Sequence, residues 1–291
     1  MNIRQLEYFV AIAESGTISA AARKLKISQP PLSAQLRLLE EETGVLLVER
    51  GPRRLQLTEA GKLLYQRAGT MISLAEATMR ELRDFEDGAG GTLQLGTISS
   101  CGAVLLERCL PGFQKKFPKA SFELREGNTY EMLEMLRSGV IEAAVVRTPF
   151  PEDGLECVYL EEEPMIAAGK KGFFSKDVSE KILLRELEQF PLIYYRRMEK
   201  LLEEAFRREG LRPKVFCKND DARTSLMWAR AGMGTALVPA SIFRAMDRGE
   251  MEYREVEAPE LVTRIAVVRR KDSYSSVLTE GLFRAFQEEH R

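Results

Sequence analysis

The stretch Thr17 to Gly44, TISAAARKLKISQPPLSAQLRLLEEETG, constrains the fold more than any other. Ala20, Ala21 and Leu25 recur at near-helical spacing behind Thr17, whose hydroxyl is placed to accept from an orphan backbone N–H and so cap a helix. Lys26-Ile27-Ser28 interrupts that pattern. A second helix is predicted beyond it, with Ser28 as cap, Pro30 and Pro31 near its first turn, and Leu32, Leu36 and Leu39 along one face. Its other face carries Gln29, Ser33, Gln35 and Arg37, side chains able to reach base edges or phosphates from a helix lying in a major groove. An ordinary helical hairpin packed in a core is the plainer reading. Two prolines opening the helix and polar side chains where a hairpin would accept apolar ones favour a helix-turn-helix.

The flanking segments fit that motif. Leu6, Phe9, Val10 and Ala13 follow the i, i+3, i+4, i+7 pattern of an amphipathic helix, an apolar floor for the other two. Gly44 is a suitable helix terminator. Residues 45–48 then predict a strand, 51–54 (GPRR) a basic turn and 55–57 a return strand, together a two-stranded wing. Arg53 and Arg54 at its tip and Arg50 at its base would face the sugar-phosphate backbone or a minor groove. Net charge is −1 for the whole chain, while residues 1–58 hold eight Lys and Arg against six Asp and Glu. Local clustering, and a second copy, must therefore supply the counterion release that drives DNA binding. From Thr58 to about Phe85, Leu64, Ala68, Met71, Ala75, Thr78, Leu82 and Phe85 alternate steps of four and three, the spacing of a coiled-coil seam. This long helix is expected to pair with its copy in a second chain.

Residues 88–91 (GAGG) read as a flexible joint, and the pattern then changes. A strand at 92–98, a helix capped by Ser99 and Ser100 with its apolar face over 104–117, a strand at 121–125, a helix at 130–138 and a strand at 143–146 alternate as β-α-β units. A second series follows: strands at 164–169 and 190–195, a helix at 199–210, a strand at 214–219, a helix at 222–231 and a strand at 235–239. Two α/β lobes with parallel sheets are expected, plus a last strand (264–268) and helix (277–288) that periodicity assigns to neither. With 291 residues the chain is long enough for more than one domain.

Several classes fit poorly. The four cysteines, at 101, 109, 157 and 217, form no C-x-x-C, and His290 is the single histidine, so neither a zinc site nor histidine-dependent catalysis is expected. There is no apolar run of about 20 residues to span a bilayer. The opening MNIRQLEYFVAIAESG lacks the pattern of a secretory signal, and a cytoplasmic location is expected.

Residues 6–61, LEYFVAIAESGTISAAARKLKISQPPLSAQLRLLEEETGVLLVERGPRRLQLTEAG, resemble the winged helix-turn-helix of LysR-type transcriptional regulators nearly end to end. Residues 117–149 and AGMGTALVPAS (231–241) are similar to that family's effector domain. The resemblance implies an α/β multidomain fold: a winged helix-turn-helix (1–58), a dimerisation linker helix (59–87), a hinge (88–91) and a two-lobed, periplasmic-binding-protein-like (type 2) effector domain (92–291). Lobe I would hold 92–161 and 265–291, lobe II 162–264, with crossovers near Leu160 to Pro164 and Leu261 to Arg264. It further implies a homotetramer built through linker helices and effector domains, double-stranded DNA carrying an interrupted inverted repeat, contact with RNA polymerase, and a small-molecule effector between the lobes in place of any cofactor.

Carried over by position, the DNA contacts are Gln29, Pro30, Pro31, Ser33, Arg37, Arg53 and Arg54, with Arg50 at the wing base and Thr17 capping the helix that touches the backbone. Ala34 stands where many members carry a basic residue, Val48 where phenylalanine is usual, and Glu142 for an aspartate. The effector candidates are Ser99, Ser100, Cys101, Asn128, Thr129, Arg147, Tyr195 and Arg196. Helix N-termini present unpaired N–H groups and partial positive charge, and with two arginines they favour a small anion, most simply a carboxylate. Cys101 admits two readings, a reactive thiol at a helix N-terminus and a small residue lining a pocket. The competing function is an enzyme or solute-binding protein that uses the cleft and carries an N-terminal interaction module.

Overall fold

The computed structural model describes residues 1–50, 55–87, 91–174, 180–246, 249–271 and 275–289. They divide into two compact units, Met1–Asp87 with Arg137–Val140, and the remainder.

In the first unit, helix Ile3–Ser15 opens with a reciprocal cap: the Asn2 side chain accepts from Gln5 N, and the Gln5 side chain accepts from Asn2 N. Thr17 Oγ1 accepts from Ala20 N at 3.2 Å and opens Ile18–Lys24. Helix Gln29–Thr43 differs from the sequence expectation at its first residue. Ser28 holds the N-cap position with extended backbone, but its hydroxyl makes no cap bond. The reason is covalent: an N-cap oxygen accepts from the second or third helical N–H, and here those positions are Pro30 and Pro31, which have none. The prolines start the helix by fixing φ and by removing donors that would otherwise need partners. Phe9, Ile12, Ala21, Leu32, Leu36, Leu39 and Leu47 form the core beneath the three helices.

The first wing strand starts later than expected. Glu40 Oε1 accepts from Leu47 N at 2.9 Å and Val48 N at 3.3 Å, so a side chain satisfies donors that a longer strand would have paired. The ladder is therefore Val48–Arg50 against Leu55–Leu57, antiparallel, with Val48 opposite Leu57. The linker helix Glu59–Asp87 follows at once. Thr58 Oγ1 donates to Leu46 O at 2.7 Å and accepts from Gly61 N at 3.0 Å, tying the helix start to the base of the wing. Leu63, Met71, Leu74, Met79 and Leu82 project from this helix exposed.

The second unit is built on one extended sheet, because two strands run through both lobes. In spatial order its main path is 120–127, 91–98, 143–147, 262–270, 155–170, 235–239, 191–195 and 214–219. The first three are mutually parallel, as are the last three. Between them Leu155–Lys170 and Val262–Arg270 pair antiparallel with each other, with Glu163 opposite Thr263 and a register shift between Arg264 and Ala266. The expected strand at 164–169 is thus the second half of a 16-residue strand. Within the expected crossover, Glu162 and Glu163 stay paired with the returning strand, opposite Arg264 and Thr263. The sheet is mixed rather than parallel for the same reason.

Candidate effector cleft and DNA-reading face

On helix Gln29–Thr43, Gln29, Pro30, Pro31 and Arg37 are exposed and Ser33 is half-buried. Ser19 Oγ, on the preceding helix, donates to Gln29 Oε1 at 2.9 Å, and Arg37 Nε lies 3.5 Å from Ser33 O. The surface is thus polar and pre-positioned at its N-terminal end. Ala34 is exposed on it without a polar group, and Val48 packs half-buried against the core below. Arg53, Arg54 and the side chain of Arg50 lie outside the described residues.

The second unit holds a cleft of about 860 Å³ between its lobes. Of the residues expected there, Ser99, Asn128, Thr129 and Arg196 line it, joined by Glu126, Glu131, Arg197, Asp220, Asp221 and Arg223. Ser100 lines an adjoining, mainly apolar pocket of about 410 Å³ that shares Ser99, Glu126 and Arg223 with the cleft. Asn128 forms a reciprocal cap with Glu131, at 2.9 and 3.0 Å. Arg196 pairs with Asp220 at 2.7 Å and Arg223 with Asp221 at 2.8 Å. Burial acts to raise the Asp221 pKa, but the hydrogen bonds from Arg223 hold it below its ordinary value and in turn raise that of Arg223.

Arg147, Tyr195 and Cys101 are placed differently: each is buried and outside the cleft lining. Arg147 is wholly enclosed, and its donors are taken by protein. Nε reaches Ser100 Oγ at 3.4 Å, Nη1 reaches Glu163 and Thr263 Oγ1 at 3.0 Å, and Nη2 reaches Ser100 O at 2.9 Å and Ser241 Oγ at 3.1 Å. Glu163 in turn accepts from Ser241 N at 2.8 Å. This cluster joins the end of a lobe I strand, both crossover strands and a lobe II helix. It ties the two lobes together through Ser100 and Ser241, and Arg147 has no N–H left over for a ligand.

The comparisons with known proteins decide the family. Residues 3–62 match the bacterial regulatory helix-turn-helix protein, lysR family, and residues 86–291 match the LysR substrate binding domain. The regulator BsdA of Bacillus subtilis (strain 168) is 30% identical, covering 94% of this chain and 96% of its own. The chain belongs to the LysR family. TfdS of Cupriavidus pinatubonensis (strain JMP 134 / LMG 1197) is 34% identical over 83% of each chain. Full-length CbnR complexed with its target DNA has a TM-score of 0.79 at 25% identity, covering 99% of this chain and 100% of that one. This LysR-family protein is accordingly a DNA-binding transcriptional regulator with an effector-binding domain, rather than an enzyme.

Among the described residues of this LysR-family regulator, no group of His, Cys, Asp and Glu is placed to hold a metal ion, and no helix is long and apolar enough to cross a membrane. Its four cysteines form no disulfide, and Cys101 and Cys109 are buried. Burial pushes the Cys101 thiol up in spite of nearby Arg147, and pushes Cys109 to about 12. Burial thus opposes activation of Cys101. Cys157 and Cys217, both half-buried, are expected to react first with an excess of a thiol reagent at pH 8, while Cys101 and Cys109 react only on unfolding. Mass spectrometry of the partially labelled protein reads the order directly, and early labelling of Cys101 would contradict it.

Proposed function

We propose that this regulator is cytoplasmic and effector-responsive, with a small carboxylate binding between the lobes of its second unit. The polar, exposed N-terminal half of helix Gln29–Thr43 beside a two-stranded wing carries the DNA side of this reading. The exposed apolar residues of the linker helix support pairing with a second copy, which brings two reading heads to an interrupted inverted repeat. Dimers joined through their effector domains make a homotetramer. A ligand that changes the angle between lobes changes the spacing of those heads, and with it DNA bending and contact with RNA polymerase. No cofactor enters this scheme.

DNA binding by Arg37→Ala tests it. Loss of one base or phosphate contact on each of the two recognition helices is expected to weaken binding to the cognate site by about 30-fold or more, from about 1–3 kcal/mol per contact. Fluorescence anisotropy at ~150 mM salt, where non-specific binding is weak, measures it against random duplex. Wild-type protein that bound promoter and random DNA equally there would sink the reading.

A further inference from the structure

Two adjacent arginines end strand Pro191–Tyr195 and enter opposite environments. Arg196 points outward and pairs with Asp220 at 2.7 Å. Arg197 points inward. Its Nη2 donates to two lobe I carbonyls, those of Arg147 and of Pro149, the latter at 2.9 Å. Its Nε and Nη1 are enclosed, and neither finds an acceptor among the described residues. Burial lowers the Arg197 pKa, and the neighbouring Arg147 acts in the same direction.

One other enclosed polar atom of the cleft lining, Thr129 Oγ1, also lacks a partner among the described residues. Buried polar groups are ordinarily satisfied, and a buried cation without a counter-charge is the costliest exception. The free edge of the guanidinium, Nε with Nη1, is a fork matched to the two oxygens of a carboxylate. The Thr129 hydroxyl is a further donor to an oxyanion.

We infer that Arg197 is the anion receptor of the cleft, taking a carboxylate on its Nε–Nη1 edge with Thr129 as an additional donor, and that the bound anion fastens the two lobes together. The inference rests on the reading above that the cleft takes a small effector, and it adds the receptor and the direction of the response. The same guanidinium that meets the ligand holds lobe I through Nη2. With the lobes together and no anion present, the cation is desolvated and uncompensated; with the lobes apart, water serves it. An anion therefore stabilises the closed arrangement more than the open one, and by linkage shifts the population toward closure. Because Nε and Nη1 are shut from solvent here, the ligand enters through the opened cleft and is enclosed as the lobes meet. Arg196, already paired and exposed, has no such part.

The test uses the full-length protein, with unfolding followed through Trp228, the single tryptophan, which lies in the second unit. Sodium formate, acetate and propionate are titrated against sodium chloride, sulfate and phosphate at equal ionic strength. The expected result is a saturable rise in Tm of about 2–5 °C with the carboxylates. Arg197→Gln should abolish it, Arg197→Lys should retain less than half of it, and Arg208→Gln, at an exposed position outside the cleft lining, should leave it in place. Amide exchange over residues 147–150 and 196–199 should slow with acetate in wild type only. A rise that persists in Arg197→Gln overturns the receptor while leaving an anionic effector standing. No carboxylate effect in wild type overturns both. An equal rise with sulfate or phosphate overturns the carboxylate class, and a rise without slowed exchange overturns the fastening of the lobes. If Arg197→Gln does not fold, Arg197→Lys carries the comparison, because a full wild-type rise there excludes the fork.

Discussion

Glu163→Ala is expected to destabilise the second unit by about 3–5 kcal/mol, the cost of stranding a buried charge. Its partner Arg147 is 0% exposed and Glu163 is 17% exposed at the side chain, so solvent cannot take over the lost contact. The carboxylate also accepts from Ser241 Oγ at 3.0 Å and Ser241 N at 2.8 Å, and both would lose their acceptor. Denaturant unfolding followed through Trp228 measures the effect on this unit alone, since the first unit has no tryptophan. A loss under about 1 kcal/mol would show that the pair does not hold the crossover. The double variant Arg147→Met with Glu163→Leu should recover much of the loss, because removing both charges abolishes the desolvation penalty that removing one exposes. Restored stability in that variant should come with weakened response to effector, as the link between Ser100 of lobe I and Ser241 of lobe II is then gone.

Arg147 also shows where reading the sequence stops. An arginine at a strand end next to a cleft has the chemistry of an anion ligand, and nothing local distinguishes that role from a buried structural one. What separates them is Glu163, 16 residues further on in a run of three glutamates within the crossover segment. Arg196 and Arg197 pose the same difficulty within one dipeptide. Identical side chains leave one turn in opposite directions, and only the position of lobe I carbonyls tells which is enclosed. The helix-turn-helix was far more legible, because its determinants are local: a threonine cap, two prolines, a repeat of leucines and a terminal glycine. Even there Ser28 misleads, since a serine at an N-cap position implies a side-chain bond that the following prolines cannot supply. Most strands of the sheet were legible, but Met251–Val256 and the first half of Leu155–Lys170 were not, and the continuous ladder was hidden because the pairing of 162–163 depends on a strand about 100 residues away.

Gly61→Ala should cost the first unit about 3 kcal/mol, at the upper end of what overpacking ordinarily does. A Cβ at this position would stand 2.0 Å from Leu47 O and 3.0 Å from Leu47 C, backbone atoms that cannot rotate away. Leu47 is itself fixed on both sides: its side chain is in the core, its N–H donates to Glu40, and its carbonyl accepts from Thr58 N at 3.1 Å. The added methyl must therefore push the linker helix away from the base of the wing, breaking the Thr58 contacts with Leu46 and Leu47. Gly69 provides the control eight residues on, where a Cβ meets nothing within 4 Å. Gly69→Ala should instead stabilise by about 1 kcal/mol, the ordinary helix preference for alanine. The two substitutions are chemically identical and lie in one helix, so opposite signs isolate the contact at Leu47 from any general effect of glycine. Far-UV circular dichroism should show early loss of helix in Gly61→Ala with the Trp228 transition unmoved, and DNA affinity should fall with it, because the wing and the recognition helix are positioned by the same joint. Stabilisation of Gly61→Ala comparable to that of Gly69→Ala would mean that the linker helix does not lie against Leu47.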